Sequence, residues 1–221
     1  MINGIIFDLD GTLIDSMGMW YDIDRRFLAE NGVTDPPNGI SWKIKQMTIE
    51  TAAEFMISEF GLDLTPTQVI RRIEELVREE YEQYIPLKNG AAELLEYLDS
   101  IGVPYGVATA TYKALAVAVM KRCGVLDRMK FLLTDKEYPN GKGFPDIFLG
   151  AAERLGISPA ETLVVEDSLH CIKTAAGAGF LTAAVYEKTA ASEWEQIKAA
   201  SDYSFMELGE LKTLFEVTEN E

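Results

Sequence analysis

The sequence predicts an α/β fold, a parallel sheet core whose first strand is followed by an inserted all-helical segment. Three observations predict it. The chain opens on a short apolar run, Gly4-Ile5-Ile6-Phe7, that ends in Asp8-Leu9-Asp10-Gly11-Thr12-Leu13. Between residues 16 and 85 apolar residues recur at helical spacing, with no convincing strand. From residue 89 onward short apolar runs alternate with helical stretches, and strands joined by helical crossovers make a parallel sheet.

Taken in order, residues 4–7 are apolar on both faces, as a fully buried strand must be. Helices are predicted over 20–31, 49–60 and 66–84, the last from the spacing of Val69, Ile70, Ile73, Leu76, Val77 and Tyr81. Asp15-Ser16 and Ile85-Pro86-Leu87 bound this section. The expected division is therefore an α/β core of residues 1–15 and 86–221, with a helical domain over 16–85. Within the core, helices are predicted at 91–100, 113–123, 146–155, 168–178 and 208–215, and strands at 105–108, 131–134, 162–165, 181–185 and 203–205.

With 221 residues, 48% of them apolar, the chain can bury a substantial core. Its 20 basic and 36 acidic residues give a formal charge of −16, which argues against partners such as nucleic acid or an anionic membrane. An anionic substrate must then be held by local positive groups. Cys123 and Cys171 are too far apart in sequence to point to a disulfide scaffold or a zinc site, and the lone His170 disfavours a Ser-His triad. No basic leader precedes the first apolar run, and no apolar stretch approaches the roughly 20 residues of a membrane span. The expectation is a cytoplasmic protein, monomeric, whose partner is a small metabolite.

The chemistry is concentrated at strand ends. An unpaired carboxylate at the end of a buried strand costs several kcal/mol, so Asp8 and Asp10 call for a metal or a cationic ligand. In an open parallel sheet ligands bind beyond the carboxyl ends of the strands, where the strand order reverses. Thr109 follows the strand at 105–108, Lys142 lies in the loop after 131–134, and Glu166-Asp167 follows 162–165. One pocket is thus expected to collect Asp8, Asp10, Thr109, Lys142 and Asp167.

Hard oxygen ligands with room for water and phosphate suit magnesium, with Asp8 and Asp167 as direct ligands. Lys142 and the Thr109 hydroxyl supply donors for phosphoryl oxygens. Asp8 can attack phosphorus, and Asp10, two residues on and on the same side of the extended chain, can protonate the leaving oxygen and then deprotonate water. Gly11 permits the tight exit from the strand, and Thr12 is expected to orient Asp10 by a hydrogen bond.

These residues resemble the four motifs of the haloacid dehalogenase-like hydrolase superfamily, in its phosphoglycolate phosphatase and beta-phosphoglucomutase-like group. Asp8-Leu9-Asp10-Gly11-Thr12-Leu13 is similar to the first, Val107-Ala108-Thr109-Ala110-Thr111 to the second, Gly141-Lys142-Gly143-Phe144-Pro145-Asp146 to the third, and Val165-Glu166-Asp167-Ser168 to the fourth. The resemblance covers nearly the whole chain. It implies a Rossmann-like core with a helical cap over 16–85, and a phosphatase acting on a small phosphomonoester through an aspartyl phosphate. It assigns Asp8 as nucleophile, Asp10 as acid/base, and Thr109, Ala110 and Lys142 as phosphate binders. Magnesium would be held by Asp8, the Asp10 main-chain carbonyl and Asp167, with Glu166 supporting the metal waters.

Where sugar-phosphate mutases of the group carry a His after the first motif and an Arg in the cap, this chain has Trp20 and Ile49, which favours hydrolysis over phosphomutase activity. Asp10 argues against the dehalogenase branch, and the long helical insertion against a receiver-like or non-catalytic phosphate-binding protein. Gly143 and Cys171 depart from the usual proline and glycine of the third and fourth motifs. Trp20 reads first as packing and second as a substrate contact. Lys45, with Lys43 beside it, is the expected grip on an anionic substrate from the helical section.

Overall fold

The computed structural model describes residues 1–44, 47–134, 136–138 and 140–216. It divides into two compact units, one of Met1–Asp15 with Pro86–Glu221 and one of Ser16–Ile85. The first strand, β1 (Gly4–Phe7), is buried throughout, as its uninterrupted apolar run requires.

The second unit contains α1 (Met19–Glu30), the short α2 (Ile40–Ile44), α3 (Ile49–Phe60) and α4 (Pro66–Gln83). Local chemistry sets the ends of its longer helices. Thr48 caps α3 by accepting from the Thr51 N–H, and Gly61 ends it in the left-handed conformation at φ +63°. Thr65 and Gln68 form a reciprocal capping box on α4, with Pro66 in the first turn, where a missing N–H costs nothing. Val69, Leu76, Val77 and Tyr81 line the buried face of α4, and its charged face carries ion pairs to α1.

The chain re-enters the first unit at Pro86, where an antiparallel bridge joins Leu87 to Ile14 and the Asp15 N–H donates to the Pro86 carbonyl. There follow α5 (Ala91–Ile101), β2 (Tyr105–Thr109), α6 (Lys113–Arg122), β3 (Leu132–Thr134), α7 (Asp146–Leu155), β4 (Thr162–Glu166), α8 (Leu169–Gly177), β5 (Leu181–Val185), α9 (Trp194–Ala200), β6 (Tyr203–Phe205) and α10 (Thr213–Glu216). All six strands are parallel, in the order β3-β2-β1-β4-β5-β6. The core is an α/β Rossmann-like sheet with the helical cap inserted after its first strand. Ile6, Ala108, Leu133 and Val164 from four neighbouring strands pack with Ile147, Phe148 and Ala151 of α7 in one apolar cluster.

Three elements differ from the sequence reading. The five-residue α2 is absent from it, being too short to show a helical period. The helix α9 is absent from it, because a seven-residue helix with Ile197 as its one buried residue leaves no periodic signal. The helix expected at 208–215 is a 3-10 turn over Leu208–Lys212 followed by α10. Gly209 meets Gly90 there so closely that a Cβ on Gly90 would lie 2.7 Å from the Gly209 backbone. Leu208 and Leu211 of the turn are buried beside this close backbone approach. Among the described residues no helix is long and apolar enough to cross a membrane.

Candidate active site

The strand order doubles back at β1, between β2 on one side and β4 on the other, and the polar residues collect at that reversal. Phe7 pairs with Val165, and the Asp8 N–H donates to the Val165 carbonyl at 2.9 Å. This register sets Asp8 beside Glu166 and Asp167. Carboxylate oxygens of the three residues lie within 4.8 Å of one another, all buried. Lys142, also buried, arrives from the loop after β3 and forms ion pairs with both Asp8 and Glu166.

The two partners of Lys142 are held differently. Glu166 Oε2 accepts from the Asp167 N–H at 3.1 Å, the Ser168 N–H at 3.2 Å and the Ser168 hydroxyl at 3.1 Å. Burial works against its charge, yet Lys142 and these donors prevail and hold its carboxyl below the usual range. Its other oxygen, Oε1, meets the ammonium as an ion pair outside hydrogen-bond geometry. Asp8 is pushed up to about 7, by burial first and then by Glu166 and Asp10, against the pull of Lys142. Asp167 is pushed up to about 9 by burial and by the charges of Glu166 and Asp8.

One lysine does not neutralise three buried carboxylates, and two of the three are forced toward the protonated state. A set of hard oxygen donors converging in this way, short of positive charge, fits a small divalent cation. The cluster is one that a divalent metal would complete, and haloacid dehalogenase-like phosphatases typically use such a metal.

Asp10 stands at the half-buried rim. Gly11 turns the chain away from the strand at φ +82°, a conformation suited to glycine, and the Gly11 N–H donates to the Ile14 carbonyl at 3.0 Å. The Thr12 hydroxyl does not make the expected bond to Asp10. That turn carries Thr12 into the interior, where its hydroxyl has no hydrogen-bond partner among the described residues. Thr111 takes its place, donating from Oγ1 to Asp10 Oδ2 at 2.5 Å.

Thr109 ends β2 fully buried, and its hydroxyl accepts from the Thr111 N–H at 3.0 Å. A hydroxyl that accepts still keeps its own proton to donate. Ala110, between them, is exposed. Beneath the turn, Lys88 donates to the Gly11 carbonyl at 2.7 Å, the Tyr186 carbonyl at 3.1 Å and Glu187 Oε2 at 2.6 Å. Lys88 and Thr111 are the two residues that the sequence reading missed as parts of the site. Their partners lie 77 to 101 positions away in the chain, beyond the reach of any local pattern.

The two departures in the third and fourth motifs are absorbed locally. A Cβ at Gly143 meets nothing within 4 Å, so nothing there demands a glycine. Cys171 is buried next to Lys142 and Glu166, and burial holds its thiol well above the usual range. Trp20, on α1, lines a cavity of about 210 Å³ within the helical unit itself, with Ile44, Met56 and Val69. Lys45 lies outside the described residues. Lys113, at the start of α6, is paired with Glu137 at 3.6 Å.

Residues 5–185 match the profile of the family described as haloacid dehalogenase-like hydrolase. Among similar proteins is an N-acetylmuramic acid 6-phosphate phosphatase of Pseudomonas aeruginosa, 28% identical over 83% of this chain and 81% of that one. A probable pseudouridine-5'-phosphatase of Drosophila melanogaster is 32% identical over 79% and 77%. Among solved structures, a putative beta-phosphoglucomutase from Thermotoga maritima superposes with a TM-score of 0.85 at 20% identity, over 98% of this chain and 100% of that one. At that identity the likeness speaks for the fold.

Proposed function

The chain belongs to the haloacid dehalogenase-like hydrolases and acts on phosphoric monoesters; we propose that it is a magnesium-dependent phosphatase of a small phosphorylated sugar or related metabolite, working through an aspartyl phosphate on Asp8. The observation that carries this reading is the convergence of Asp8, Glu166, Asp167 and Lys142 at the reversal point of the sheet, with Asp10 on the adjoining turn.

In this reading an Asp8 carboxylate oxygen forms the bond to phosphorus as the ester oxygen leaves. Asp10 gives its proton to that oxygen, and as a carboxylate it then takes a proton from the water that cleaves the acyl phosphate. Lys142 and the Thr109 and Ala110 positions hold the phosphoryl oxygens through a transfer governed mainly by charge and placement. Asp8, the Asp10 main-chain carbonyl and Asp167 would hold the magnesium, with Glu166 supporting its waters. The ion would neutralise charge on the phosphoryl group. The helical unit stands where the family's cap does in the chain order.

Hydrolysis is preferred to phosphomutase chemistry because Trp20 and Ile49 stand where the mutases carry a His and an Arg. The test is Asp8→Asn assayed with p-nitrophenyl phosphate and magnesium. Turnover is expected to vanish while the melting transition is retained, and undiminished magnesium-dependent hydrolysis would overturn the mechanism. A panel of sugar and polyol phosphates then identifies the substrate.

A further inference from the structure

We infer that Thr111 is a positioning residue of the proton-transfer carboxylate, holding Asp10 from the end of the neighbouring strand in the role that the sequence suggests for Thr12. The inference rests on the proposed reading, in which Asp10 is the acid and base. Three observations carry it. Thr111 Oγ1 donates to Asp10 Oδ2 at 2.5 Å, a direct contact between a motif on the first strand and a residue 101 positions later. The Thr12 hydroxyl is buried without a hydrogen-bond partner among the described residues, so the neighbour best placed in sequence does not do this work.

The third observation is that both backbones beneath the contact are fixed by other groups. On the Asp10 side, the Gly11 carbonyl is tied to Lys88 and the Gly11 N–H to the Ile14 carbonyl, while Asp10 itself bridges to Ile14. On the Thr111 side, the N–H is tied to the Thr109 hydroxyl. Those ties hold main-chain atoms, whereas the Thr111 hydroxyl acts on the rotation of the Asp10 side chain itself. A proton-transfer group must sit within hydrogen-bond reach of the atom it serves. Thr111 therefore contributes directly to setting that rotation.

The role has a signature that a merely structural one lacks. Protonation of the leaving oxygen matters most when that oxygen is a poor leaving group, so loss of aim must cost more on phenyl phosphate than on p-nitrophenyl phosphate. The measure is kcat/KM, which covers the steps through leaving-group departure. Thr111→Val removes the hydroxyl at nearly constant volume. It is expected to lower kcat/KM about 100-fold on phenyl phosphate and about tenfold or less on p-nitrophenyl phosphate, with the melting temperature unchanged. Thr111→Ser, which keeps the donor, should bring both back to within about threefold of the parent.

Equal losses on the two esters, no loss on either, or a serine variant as impaired as valine would each overturn the inference while leaving the phosphatase reading intact. Undiminished turnover by Asp8→Asn on the same esters would remove that reading, and the role of Thr111 with it. The two failures are thus told apart in a single set of assays.

Discussion

The two units of this chain use charge in opposite ways. In the helical unit, Arg72 fans out over Glu30, Glu75 and Glu79, and Arg26 pairs with Glu79 and Glu80, on a surface partly open to water. In the sheet unit, Lys142 with Asp8 and Glu166 is shut away from it, and Lys88, itself only partly buried, pairs with the buried Glu187. Exposed pairs gain little, since water and salt screen them, whereas a buried charge deprived of its partner keeps its whole desolvation cost. The same residue chemistry thus fastens helices weakly in one place and concentrates electrostatic stress in the other.

The sharpest way to break this contrast is Lys142→Met. Stranding Asp8 and Glu166 is expected to cost about 3–5 kcal/mol in denaturant titrations and to lower kcat/KM by about 10²–10³-fold, because a donor to the phosphoryl oxygens is lost as well. Next comes Lys88→Met, which leaves Glu187 buried and frees the Gly11 carbonyl. A loss of about 3 kcal/mol is expected by the same measurement, and a loss below about 1 kcal/mol would put this pair with the surface ones.

Magnesium provides the third test. Asp8 and Asp167 rise from an ordinary 3.8 to about 7 and about 9, burial being the first cause of each. A carboxyl raised on folding lends stability that is full below its unfolded value and is lost as pH climbs through the folded one. The metal-free protein should therefore lose stability between about pH 4 and about pH 9. Glu166, shifted downward, acts only at the acid end, where falling pH removes its contribution. Because magnesium binds the deprotonated cluster, the rise in melting temperature on adding it should grow with pH. At about 100 times its dissociation constant the gain should approach roughly 2.7 kcal/mol. A rise that is the same at pH 6 and at pH 9 would count against metal binding at these carboxylates.

The smallest effect belongs to the helical surface. Arg72→Ala should cost about 1 kcal/mol or less, shrinking further in about 1 M salt, with turnover of p-nitrophenyl phosphate unchanged. A cost that resists salt would show that this network is more sheltered than its exposure indicates.

Much of the architecture is legible in the sequence because its causes are local. The apolar run of β1, the period of α4 and its capping box, and the alternation of strands and helices after residue 89 each lie within a short window of the chain. The motif residues Asp8 and Asp167 are legible for a related reason. A charged group at the end of a buried strand contradicts its apolar surroundings, and the contradiction is written in the residue order itself. The helix α9 is not legible, because one buried Ile197 in seven residues makes no pattern.

By itself, then, the sequence determined the class of fold, the order of its longer elements and the motif side chains, because hydrophobic period and residue type are properties of neighbours along the chain. Only the tertiary structure decided which of those side chains meet. Glu166 and Asp8 share Lys142 because β1 and β4 are adjacent in the sheet, and Asp10 is held by Thr111, not Thr12, because Gly11 turns Thr12 inward and β2 delivers Thr111 from the other side. Such contacts depend on strand order and register, which arise from long-range pairing and leave no mark on any one segment of sequence.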